Sequence, residues 1–118
     1  MVVIMNNYFK KAIEFYDYGI KEYNTGLKER NDIKIREGCE KIFHSFVELS
    51  NGIISEHGYQ IPKNHVMRSE ILSSLGIGTL YDHVMKRLHD TCYYDGIIRK
   101  KYIEDAIEVV ENEIKKRM

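Results

Sequence analysis

Apolar residues recur every three or four positions along most of this chain, and that spacing constrains its fold more than anything else in the sequence. Between residues 7 and 27 the series is Phe9, Ile13, Tyr16, Ile20, Tyr23 and Leu27, one face of a helix. Between Asp32 and His57 it continues as Ile35, Cys39, Ile42, Phe43, Phe46, Leu49, Ser50, Ile53 and Ile54, with Asp32 suited to the N-cap and Gly58 to the stop. GYQIPKNHV, residues 58 to 66, reads as a loop, because Pro62 lacks a backbone donor and biases Ile61 away from helix. A short helix over Met67–Leu75 then ends at the Gly76-Ile77-Gly78 break. Thr79 is placed to cap a helix over Leu80–Tyr94 that stops at Asp95-Gly96. The last helix runs from Ile97 to about Arg117, with Tyr102, Ile103, Ala106, Val110 and Ile114 inward. No strand alternation or internal repeat interrupts this pattern. The expectation is a single domain over residues 1–118, an all-α, antiparallel, four- to five-helix up-and-down bundle.

Charge and cysteine content narrow the class. Eighteen basic and eighteen acidic residues cancel, which argues against a strong nonspecific nucleic-acid or membrane-surface binder. The opening MVVIM is too short for a signal peptide or a span, and no other apolar run reaches membrane length. The reading is a cytoplasmic protein with no membrane partner. Cys39 and Cys92 fit no metal-ligand spacing and fall inside helical patterns, so they read as reduced, buried thiols. His57, on the apolar stripe at a helix end, reads as a partly buried, satisfied histidine.

LYDHVMKRLHDTCYYDG, residues 80 to 96, is the densest stretch of chemistry-bearing side chains. Steps of about 100° per residue put Leu80, Tyr81, Val84, Met85, Leu88 and Cys92 on one side. His83, Arg87, Asp90 and Tyr94 fall on the other, with His89 at the boundary. Arginine can fork onto phosphate, an imidazole can move a proton near neutral pH, and exposed tyrosine suits an interface. The candidate ligand-binding set is Arg87, Tyr94, His83, His89 and Asp90, joined by His65 in the loop. Spacing alone favours a solvated face with i,i+3 and i,i+4 pairs. Glu40, His44 and Glu48 share another helix side and read as a charged outer face, not a metal site, since HExxH and ExxH are absent. Nothing points to a cofactor: Gly76-Ile77-Gly78 is only GxG and follows no strand.

Three stretches carry a family resemblance. REGCEKIFHSFVELSNGIISEHG (residues 36 to 58) and KNHVMRSEIL (63 to 72) resemble the second helix, histidine-bearing loop and short helix of HEPN domains (higher eukaryotes and prokaryotes nucleotide-binding), closest to their archaeal PaREP branch. Leu88, His89, Tyr93 and Tyr94 resemble that branch's Leu-His followed by an aromatic pair. The resemblance implies a homodimeric bundle that binds or acts on RNA or nucleotides, in many members within a toxin–antitoxin or defence system. Active HEPN ribonucleases carry an arginine followed, after four to six residues, by histidine. No arginine here has that partner. In members paired with a nucleotidyltransferase the motif continues to a tyrosine, which Tyr94 matches as Arg87 matches the arginine, but Cys92 stands in the histidine's place. A thiol does not replace a cationic imidazole acid. The expectation is therefore a non-catalytic protein, with no catalytic residues, metal or cofactor. It would bind RNA, a nucleotide or a partner such as a nucleotidyltransferase through Arg87 and Tyr94. A metal-independent endoribonuclease and a purely structural dimer are the alternatives. Phe15 and Tyr18 add outward aromatic surface that suits a two-fold dimer.

Overall fold

The structure, a computed structural model, describes residues 6–117; the MVVIM start read above as too short for targeting lies outside them. Helix α1 (Asn7–Glu29) begins where the Asn6 side chain accepts the Phe9 amide at 3.0 Å, and ends where Arg30 turns left-handed at φ 54°. Helix α2 (Asp32–Glu56) starts one residue away from the expected cap: Asn31, not Asp32, accepts the Lys34 amide at 3.1 Å. The two helices form an antiparallel hairpin with almost no gap. A Cβ on Gly38 would lie 2.6 Å from the backbone nitrogen of Tyr23, so glycine is what lets the backbones approach.

Gly58, at φ 81°, ends α2 as its position suggested. Helix α3 (His65–Ser74) starts two residues before the expected Met67, because Asn64 accepts the Met67 amide at 2.9 Å. His65 is thus part of a helix and not a free loop residue. Helix α4 (Gly78–Val84) begins without the Thr79 cap and runs on unbroken into a π-helical segment, Met85–Tyr94. Helix α5 (Lys100–Lys115) starts three residues after Ile97. The described residues are all-α with no strand, and the core is the predicted stripes: Ile42, Phe43, Ile54, Tyr81, Val84, Leu88, Ile103 and Val110 are fully buried. No helix among them is long and apolar enough to cross a membrane.

Side chains confirm which helices run antiparallel. The Tyr16 and Tyr23 hydroxyls of α1 donate to Glu111 and Glu104 of α5 at 3.2 and 2.9 Å. Cys39, Glu40 and Arg36 of α2 meet Cys92, His89 and Tyr93 of the π segment in reverse order. The cysteines are buried, as expected, but not as free thiols. They form a disulfide, with Cα atoms 6.4 Å apart across the α2/π-segment interface, a separation a disulfide spans. His57 also differs: it is exposed, its Nδ1 donating to the Ile53 carbonyl at 2.9 Å.

Candidate functional site

The π segment decides where the polar residues of 80 to 96 point. Its backbone bonds reach five residues back, as in the Asp95 amide to the Asp90 carbonyl at 2.9 Å. A π turn holds more residues than an α turn, so seven residues cover roughly one and a half turns rather than two. Arg87 and Tyr94 consequently have separate surroundings. Arg87 lies against α5, donating to the Tyr102 carbonyl at 3.1 Å, stacked 4.1 Å over the Tyr102 ring and 3.8 Å from an Asp105 oxygen. His83 belongs to this side as well, its pKa lowered by burial and then by Arg87, with Asp105 opposing. Tyr94 stands 66% exposed against α2, edge-on to the His89 ring.

On that α2 side a second group assembles that sequence reading had scattered. His89 Nδ1 meets Glu40 Oε1 at 2.8 Å, and both side chains are largely withdrawn from solvent. The ring stacks on Phe43 at 4.8 Å and meets the His65 ring edge-on at 5.5 Å. His65 Nδ1 takes the Tyr81 hydroxyl at 2.8 Å and faces Arg68 Nη1 at 3.2 Å. Arg68 is only 6% exposed and reaches Asn51 Oδ1 at 2.9 Å through Nε and the Pro62 carbonyl at 3.3 Å through Nη2. No carboxylate pairs with it among the described residues, so neutral acceptors alone hold the buried charge. Arg36 donates to the Tyr93 and Tyr94 carbonyls at 2.7–3.1 Å, satisfying the free end of the π segment.

Burial of His65 is the main reason its pKa falls below the ordinary 6.5; Arg68, His89 and His44 add to the lowering, and Asp90 opposes it. Burial likewise raises the Tyr81 pKa, outweighing Arg68, so the hydroxyl keeps its proton and donates it.

Of the predicted set, then, His65, His89, Asp90 and Tyr94 gather on one side, while Arg87 and His83 sit apart. Glu40, read as one of a solvated trio, instead holds His89; His44 is exposed, and Glu48 has a buried carboxylate oxygen with no partner. Tyr81, Arg68, Asn51 and Phe43 form the buried backing of this cluster and were missed, since only long-range packing brings them to His65. Among the described residues no three His, Cys, Asp or Glu side chains converge to hold a metal ion. Compared with family models, curated proteins and solved structures, the chain matches none.

Proposed function

We propose that this protein binds single-stranded RNA or a nucleotide on the surface formed by His65, His89 and Tyr94, where α3 and the π segment meet α2, without cleaving it. The observation that carries the reading is a solvent-exposed tyrosine, Tyr94, packed edge-on against an imidazole at 4.9 Å, beside a second imidazole fixed by a buried polar network. Aromatic faces of this kind stack on unpaired bases. The HEPN resemblance points to the same ligand class and adds a two-fold dimer, for which Tyr18 at 69% exposure supplies surface. The proposed binding face moves from Arg87 to His89 and Tyr94, because Arg87 already serves α5.

Fluorescence anisotropy with a labelled single-stranded oligoribonucleotide in EDTA tests this. Tyr94→Ala should weaken binding roughly tenfold, the loss of one stacked base. Arg87→Ala should bind like wild type. The opposite pattern would return the face to Arg87. Product analysis of the same samples addresses metal-independent cleavage, the reading favoured by two adjacent imidazoles. Cleavage abolished by His89→Ala would replace binding with catalysis as the function.

A further inference from the structure

The imidazoles of His65 and His89 differ in what they offer a ligand, and the difference is fixed from behind. At His65, Nδ1 faces two groups that donate: the Tyr81 hydroxyl at 2.8 Å and Arg68 Nη1 at 3.2 Å. A guanidinium has no lone pair to give, so Nδ1 is the acceptor and the proton of the neutral ring sits on Nε2. At His89 the arrangement is reversed. Nδ1 lies 2.8 Å from a Glu40 carboxylate oxygen, which accepts; the hydrogen is therefore on Nδ1 and the neutral ring carries its lone pair on Nε2. Neither Nε2 has a partner among the described residues, and neither is a buried atom left unsatisfied. The rings are 5.5 Å apart. The two rings thus offer one N–H donor and, with His89 neutral, one acceptor, beside the exposed ring of Tyr94.

We infer that this pair grips the Watson–Crick edge of an unpaired nucleobase rather than a phosphate. Every base shows a donor next to an acceptor on that edge: the amino group beside N1 in adenine, or N3–H beside O4 in uracil. A phosphate has only acceptors and would leave the His89 lone pair facing oxygen. The charges around the two rings agree. Glu40 holds His89 and Asp90 lies near His65, both repelling an anion, while the Nε and Nη donors of buried Arg68 are committed to Asn51, His65, Tyr81 and Pro62. The inference rests on the nucleotide-binding reading and adds which part of the ligand is read. It also spends both Nε2 atoms on a base, so neither is free for proton transfer.

The test is a calorimetric titration of the full chain at neutral pH with probes that share a phosphate and differ in the base or at its edge. Adenosine and uridine monophosphates should bind. Their N6,N6-dimethyl and N3-methyl analogues, which lack the edge donor, should bind roughly tenfold or more weakly, and ribose 5-phosphate should not bind. Methylated analogues binding like their parents, or ribose 5-phosphate binding as tightly as the nucleotides, would overturn the base-edge inference and leave nucleotide binding standing. Failure of every nucleotide to bind would overturn both.

Discussion

Arg68 is the residue on which the buried polar cluster behind His65 depends. A guanidinium buried without a carboxylate is held only by Asn51, His65, Tyr81 and the Pro62 carbonyl. Its charge helps keep His65 neutral, after burial itself. Because the folded pKa of His65 lies below 6.5, the unfolded chain binds more protons between those two values. This histidine therefore makes stability rise with pH across that window, and stability falls as pH drops from about 6.5 toward the folded pKa. Arg68→Met keeps much of the volume and removes the charge. The His65 pKa, followed by its imidazole proton resonances, should then move up toward the ordinary value, and unfolding should become less pH-dependent below 6.5. The variant should also lose about 1–3 kcal/mol, because Asn51 and Tyr81 lose a buried donor. An unmoved His65 titration would show that the guanidinium does not act on it.

At the scale of elements, two features shape the site. The first is the glycine-lined approach of α1 and α2, where Gly38 leaves no space for a methyl group against the Tyr23 backbone. Gly38→Ala should push the hairpin apart and cost about 1–3 kcal/mol in urea unfolding, more than the helix propensity gained. A neutral or stabilising result would mean that the helices separate easily. The second is the π segment. The apolar stripe of residues 80 to 94 was legible because Tyr81, Val84, Leu88 and Cys92 face the core under either winding. The polar face was not. Steps of 100° placed Arg87 and Tyr94 together and His89 at the edge, but the wider turn sends Arg87 to α5 and makes His89 central. Nothing local announces a π turn, since its cost is offset by contacts with residues some fifty positions away. Helix caps show the same division: Asn31 and Asn64 act through side chains within three residues, and misreading them moved boundaries by only one or two positions.

Across the whole molecule, the Cys39–Cys92 disulfide ties α2 to the π segment through a separation of 53 residues. Spacing in the sequence carries no sign of it, because only the antiparallel register of the two elements sets the cysteines opposite each other. Cys39 precedes Glu40 and Cys92 precedes Tyr93, so the bond ties the two elements together beside the Glu40–His89 contact. Reduction should lower stability by about 2–4 kcal/mol, the typical contribution of a disulfide. Paired urea unfolding curves with and without a phosphine reductant, with Cys39→Ala/Cys92→Ala as the control, give the value. Identical curves would show that the bond does not constrain the chain.

The central claim, that the ligand face is formed by His65, His89 and Tyr94 and not by Arg87, is tested most directly by long-range proton–nitrogen NMR of the imidazoles and aromatic rings. Spectra recorded before and after addition of a short single-stranded oligoribonucleotide should show the free protein with His65 protonated on Nε2 and His89 on Nδ1. Ligand should then shift the Nε2 signals of both rings and the ring signals of Tyr94, leaving His83 and the Arg87 guanidinium unmoved. Perturbations centred on His83, Arg87 and Tyr102, with His65 and His89 unchanged, would contradict it.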